Sequence, residues 1–218
     1  MNKAIDAALR EMLGPDCGIG VTNPQLPPGN LSPQEAKAIA RAVPKRRREF
    51  YWGRVAAHQA MADHGLAPVA IPAGQDRAPI WPDGISGSIA HSDTVCIAAV
   101  TKTRLIAQLG LDVEPATPLE ANLVDTVCTA QECAWLQAQQ NSGIIAKQIF
   151  SAKEAVYKAQ YAFTGTVIDF QDVNLVVNLE TGQFHPDFVR KDLMVPAMIG
   201  ESRLTQGQIL SICRSRPH

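Results

Sequence analysis

The chain of 218 residues carries almost no net charge: 20 Lys and Arg stand against 21 Asp and Glu, leaving −1 with histidine neutral. Such a chain has no global field to draw in nucleic acid or an anionic membrane, so an anion site has to be built locally. Cysteines are few and odd in number (Cys17, Cys96, Cys128, Cys133 and Cys213), and no C-x-x-C pair occurs. Neither a disulfide framework nor a zinc ribbon is expected, and a reduced, cytoplasmic setting fits. Apolar runs never approach the ~18 residues of a membrane span. The N-terminal MNKAIDAALREML is charged where a signal peptide has an apolar centre. Aromatics make up 6%, and beside the basic run only Phe50, Tyr51 and Trp52 offer stacking surfaces, which argues against a single-strand binder. What remains is ordinary: 46% hydrophobic and 19% charged residues, enough for a core in one domain or two packed halves.

Residues 2–13 read as a helix. After a loop carrying Pro24, Pro27, Pro28 and Gly29, Ser32-Pro33-Gln34-Glu35 has the form of a capping box, which predicts a helix to about residue 43. A second helix is expected from near 45 to 64, stopped by Gly65. Residues 85–90 and 95–100 read as a strand pair joined by HSDT, and 105–113 as a further strand. Thr129 to Glu132 and Ser151 to Glu154 each spell a capping box. Beyond Gly165 the pattern turns to strands: Val173, Leu175 and Val177 alternate, Thr181-Gly182 turns, and 209–213 closes the chain. Helices and strands mix without a βαβ rhythm, so the fold class is α+β. No internal repeat shows in the letters.

Asp112 and Glu114 in LGLDVEP project from one face of an extended strand, and such a pair of hard oxygen donors suits Mg²⁺. The same spacing also fits a solvated strand end before Pro115. In FSAKEAVYKA, Glu154 and Lys158 share a helix face at i and i+4, although Glu154 also fits as the N3 partner of Ser151. His91 follows a Gly-rich strand, where imidazole can donate to a phosphate or act as a base. Gly84-Ile85-Ser86-Gly87-Ser88 departs from a nucleophile elbow at its fifth residue and precedes a hairpin rather than a helix, which argues against a serine hydrolase. Lys45 to Arg48 cluster at a helix start with Arg54 nearly two turns on. A basic run there opposes the helix dipole and favours an anionic partner.

In this order, KRRREFYWGRVAAHQA, RAPIWPDGISGSIAHS, LGLDVEP and FSAKEAVYKA resemble the larger, monomeric 4′-phosphopantetheinyl transferases of the siderophore-synthetase-activating kind. The resemblance covers about residues 45–163. It implies two similar α+β halves, 1–104 and 105–218, about a pseudo-twofold axis, with coenzyme A and Mg²⁺ in the cleft between them. It places Mg²⁺ on Asp112, Glu114 and Glu154, with Lys158 on the same phosphates. Arg46, Arg54, Arg77 and His91 would grip the 3′-phosphate and nucleotide. Glu154 or a metal-held water would take the proton of a serine on an apo acyl or peptidyl carrier protein. No nucleic acid or membrane partner is implied, and a monomer is expected. One departure stands out: Ala90 stands where members of that family usually carry Ser or Thr before the histidine. The other reading is a non-catalytic module that binds coenzyme A or a carrier protein.

Overall fold

Ile5, Ala8, Leu9, Met12 and Leu13 recur at the three- and four-residue spacing that lines one helix face, and they are the buried residues of α1 (Asn2–Leu13). The computed structural model describes residues 2–215, so the ends of both expected halves, residue 1 and residues 216–218, lie outside the described residues. The chain forms two compact units that divide between Ala107 and Gln108.

In the first unit, β1 (Gly18–Thr22), β2 (Ile85–His91) and β3 (Cys96–Lys102) form an antiparallel sheet in the order β1-β3-β2. The β2-β3 hairpin runs from Ile85 opposite Lys102 to His91 opposite Cys96. The preceding helices are α2 (Pro33–Ala36) and α3 (Pro44–Asp63). The long helix α3 lies directly on β1 because β1 is glycine where they touch: a Cβ on Gly20 would stand 1.9 Å from the Ala56 carbonyl oxygen. The indole of Trp81 covers Gly87 in the same way, 2.7 Å from where a Cβ would be. The glycines of the WPDGISG stretch thus have packing and turn roles, with Gly84 at φ 76°. Ala56, Ala57, Ala60, Met61, Ile71, Ala98 and Val100 make the core between helix and sheet.

The Ser32 capping box forms as expected, but α2 ends at Ala36 and passes into a short 3₁₀ turn, Lys37–Ile39, well short of residue 43. Lys37–Ile39 has no buried residue to hold a longer helix. Arg47 donates to the carbonyls of Ala40 and Ala42 at 2.8 and 2.9 Å, capturing acceptors that a helix would have used. Pro44 then biases Val43 to extended backbone, observed at φ −65° and ψ 157°.

The second unit holds β4 (Leu109–Pro115), α4 (Ala121–Val127), α5 (Ala130–Leu136), α6 (Ser142–Thr164), β5 (Val173–Val177), β6 (Gln183–Phe188), β7 (Met198–Thr205) and β8 (Gln208–Ser215). Its antiparallel sheet has the order β4-β8-β7-β6-β5. The expected strand at 105–113 begins later, at Leu109, because Leu105 N–H turns back to the Lys102 carbonyl at 2.8 Å. Thr129 and Glu132 cap α5 in both directions.

The expected helix start at Ser151 is overturned. Ser151 lies inside α6, fully buried, with its hydroxyl unpartnered, so Glu154 caps nothing. The helix starts nine residues earlier because Ile145 and Ile149 continue the apolar face of Ala152, Val156 and Ala159 into the core.

The fold is α+β with two sheets, and the units share a plan. The three-strand set β4-β8-β7 repeats β1-β3-β2, and α6 repeats α3. Gly110 meets the Ala155 carbonyl, 1.8 Å from its would-be Cβ, and then Ala159, as Gly20 meets Ala56 and Ala60. Each unit also buries the glutamate of a capping box, Glu35 and Glu132.

Candidate active site

The LGLDVEP strand places its chemistry by alternation. Leu111 and Val113 are fully buried on one face, while Gly110, Asp112 and Glu114 share the other. Because Gly110 lets β4 press onto α6, the two carboxylates meet the α6 face that carries Lys147, Glu154 and Lys158. Lys158 Nζ donates to Asp112 Oδ1 at 2.7 Å and to the Leu111 carbonyl at 2.8 Å. Lys147 Nζ pairs with Glu114 Oε2 at 2.5 Å and stands 4.8 Å from the centroid of Phe150. Burial pushes the Glu154 carboxyl above the usual carboxylate range; the charge of Lys158 opposes this, and Asp112 and Glu114 reinforce it. The structure thus brings Asp112, Glu114, Glu154 and Lys158 into one neighbourhood of the second unit.

Asp112 is 6% exposed, and its Oδ2 is buried without a hydrogen-bond partner. An orphaned carboxylate oxygen beside a second, half-buried carboxylate is what a divalent cation would satisfy. Among the described residues no three His, Cys, Asp or Glu side chains form a ready-made metal cage. Mg²⁺ does not need one, since it usually takes one or two carboxylates and completes its shell with phosphate and water. The donor set fits that ion.

In the first unit, the start of α3 and the end of β2 bring Arg46 and His91 together, with Arg46 Nη1 at 3.1 Å from His91 Nε2. Glu49 Oε2 lies 3.6 Å from Arg46 and 3.8 Å from His91, and Lys45 pairs with Asp93 at 2.7 Å. Arg54 is 5% exposed, its guanidinium 4.3 Å from the Phe50 centroid, and its Nε donates to the Ile71 carbonyl at 2.7 Å. Arg77 lies in the turn from Gly74 to Ala78 at φ 69°. No hydrogen bond or ion pair joins it to Arg46, Arg54 or His91 among the described residues. Ala90 is 3% exposed and, by strand alternation, sits with Ser86 and Ser88 on the buried face of β2, opposite His91.

Two family models match this chain: the 4′-phosphopantetheinyl transferase N-terminal domain over residues 34–101, and the 4′-phosphopantetheinyl transferase superfamily over residues 108–213. The chain is 38% identical over 190 residues to the 4′-phosphopantetheinyl transferase Svp of Streptomyces mobaraensis, covering 83% of this chain and 73% of that one. The chain belongs to the 4′-phosphopantetheinyl transferase superfamily. Its relatives also include the transferase PptT of Mycobacterium tuberculosis, 32% identical over 82% of this chain and 80% of that protein. With Npt of Nocardia iowensis it shares 37% identity, over 69% and 68% of the respective chains.

Two cations of this transferase escape a reading of motif spacing. Lys147, the partner of Glu114, precedes Glu154 by seven residues, two turns on the same face, but the signal appears only once α6 is known to begin at Ser142. Lys153, inside the FSAKE motif, points the other way: it is 1% exposed and bonds Glu132 and the carbonyls of Val127 and Phe170 at 2.7–2.9 Å. It supports the helix that carries Glu154. Among the described residues no helix is long and apolar enough to cross a membrane.

Proposed function

We propose that this transferase moves the 4′-phosphopantetheine group of coenzyme A onto a serine of an apo acyl or peptidyl carrier protein, with Mg²⁺, and releases 3′,5′-ADP. The observation that carries the reading is the unpartnered Asp112 Oδ2 beside half-buried Glu154, with Lys158 against the same carboxylate. Asp112, Glu114 and Glu154 would hold Mg²⁺, which supplies charge neutralisation on the pyrophosphate when bound. The serine Oγ attacks the β-phosphorus, and the bond from that phosphorus to the bridging oxygen breaks. The electron pair leaves with 3′,5′-ADP.

Glu154, or a water held by the ion, takes the serine proton. Lys158 holds Asp112 in place and brings a positive charge to the same phosphates. Next to Glu154 a cavity of about 410 Å³, lined by Thr126, Tyr157, Val167, Ile168 and Phe170 among others, suits the uncharged pantetheine arm. In the first unit Arg46, Arg54, Arg77 and His91 bind the nucleotide end. Incubation with coenzyme A, Mg²⁺ and a panel of apo-carriers tests this. A phosphopantetheine mass gain on a carrier, with stoichiometric 3′,5′-ADP, is expected; coenzyme A binding without transfer to any carrier would instead mark a binding module.

The placement of the 3′-phosphate has its own test. Charge-assisted hydrogen bonds contribute about 1.5–3 kcal/mol each. Arg54→Ala is therefore expected to weaken coenzyme A binding by roughly ten- to a hundredfold while leaving dephospho-coenzyme A comparatively unaffected, read by calorimetric titration. Equal losses for both ligands would assign Arg54 to the fold.

A further inference from the structure

In the first unit one carboxylate is buried away from every group discussed so far as reactive. Glu35 is 1% exposed. Its Oε2 accepts from the Ser32 hydroxyl at 2.9 Å and from Ser32 N–H at 3.3 Å. Its Oε1 accepts from Ile71 N–H at 3.1 Å. His58 Nε2 on α3 lies 3.0 Å from the same oxygen, at an angle that makes no hydrogen bond. The other end of Ile71, its carbonyl, receives the Arg54 Nε–H at 2.7 Å. Ile71 is fully buried in the long connection between α3 and β2, whose regular structure is the isolated bridge of Ala73 with Pro79. The position of the carbonyl that fixes Arg54 therefore depends on the reach of Glu35.

The second unit shows what a direct contact would do. There the equivalent capping glutamate, Glu132, accepts from Leu175 N–H at 2.7 Å and takes the Lys153 ammonium itself at 2.7 Å, which consumes the cation. In the first unit a peptide stands between carboxylate and cation. Arg54 Nε is used on that peptide, and the two Nη nitrogens make no hydrogen bond within the described residues. Burial brings the pKa of the guanidinium down to about 10, with the Glu35 charge opposing the fall, so it stays charged at neutral pH. A buried, oriented fork with unused donors is prepared for an anion.

We propose that Glu35 is a positioning residue for coenzyme recognition, setting through the Ile71 peptide where the Arg54 fork points. The proposal rests on the reading of Arg54 as a 3′-phosphate contact. It makes side-chain length and one acceptor for Ile71 N–H, rather than charge, the property that matters at position 35. Glu35→Gln keeps the length and an acceptor for Ile71 N–H. Glu35→Asp keeps the charge but retracts the carboxylate by a methylene, so it no longer serves Ser32 and Ile71 together.

The readout is the ratio of coenzyme A to dephospho-coenzyme A affinity by calorimetry, with thermal unfolding alongside. Glu35→Asp is expected to cut the ratio about tenfold through coenzyme A alone, and Glu35→Gln to stay within about twofold of wild type. Ser32→Ala, which loosens α2 and leaves the Ile71 contact, should lower stability without moving the ratio. Combined with Arg54→Ala, Glu35→Asp should add nothing further. If Glu35→Asp does not fold, Ile71→Pro, which removes the N–H and keeps the carbonyl, must lose the ratio in its place. A wild-type ratio in Glu35→Asp, or an equal loss in Glu35→Gln, overturns the proposal. An unchanged ratio in Arg54→Ala overturns the reading of Arg54, whatever Glu35 does.

Discussion

Glu154→Gln is expected to lower turnover by about 10²–10⁴-fold, the usual contribution of a positioned general base, while leaving the fold intact. The two roles open to this residue in FSAKE separate here: Ser151 is buried inside α6 and needs no partner at N3, so no cap is lost. The folded protein should even gain stability at neutral pH when divalent ions are removed. The folded-state proton affinity of Glu154 is raised, with burial as the largest cause. Wild type therefore gives up stability as pH rises from the ordinary carboxylate value through the higher folded one. Glutamine carries no such cost, and the gain should vanish below the ordinary value, where both forms are neutral. Chemical denaturation of wild type and variant across that range, with single-turnover transfer at neutral pH, measures both effects. Near-normal turnover would remove Glu154 from the chemistry.

A comparable loss, in stability rather than rate, is expected for Lys153→Met. The ammonium of Lys153 is fully buried and meets Glu132 at 2.7 Å, with the carbonyls of Val127 and Phe170 completing its donors. Burial alone pulls its proton affinity down, and Glu132 opposes that. Methionine fills nearly the same volume but strands a carboxylate that is 2% exposed, a situation that costs about 3–5 kcal/mol. Replacing Glu132 by glutamine in the same chain should recover part of it, because the stranded charge is gone, although the single amide oxygen can accept from only one of the Thr129 and Leu175 N–H groups that Glu132 serves with its two oxygens. Denaturant unfolding of the single and double variants decides the point; a loss under about 1 kcal/mol for Lys153→Met would mean that water reaches Glu132.

These sites were legible to different depths for physical reasons. A capping box is local, so Ser32–Glu35 and Thr129–Glu132 could be read and both form. The same four-residue pattern at Ser151–Glu154 is equally local and misleads, because the long-range burial of Ile145 and Ile149 carries the helix through it. The strand β1 offers only Ile19 and Val21 as apolar signals; it is defined by pairing with β3 and by Gly18 and Gly20 against α3, which no local window contains. The shared plan of the two units is likewise invisible in the letters, since it rests on which glycines meet which alanines.

At the candidate site, the two-residue spacing of Asp112 and Glu114 was readable from strand alternation, and the i, i+4 pair of Glu154 and Lys158 from helix periodicity. The contact of Lys158 with Asp112 across 46 residues, the Lys147 partner of Glu114 and the orphaned Asp112 Oδ2 belong to packing.

The central claim is that Asp112, Glu114 and Glu154 hold a divalent cation on which phosphopantetheine transfer depends. Its most direct test is intact-mass measurement of an apo-carrier after incubation with the transferase and coenzyme A, in Mg²⁺, in excess chelator, and in chelator followed by Mg²⁺. The phosphopantetheine mass should appear in the first, be absent in the second and return in the third; undiminished transfer in excess chelator would contradict the account.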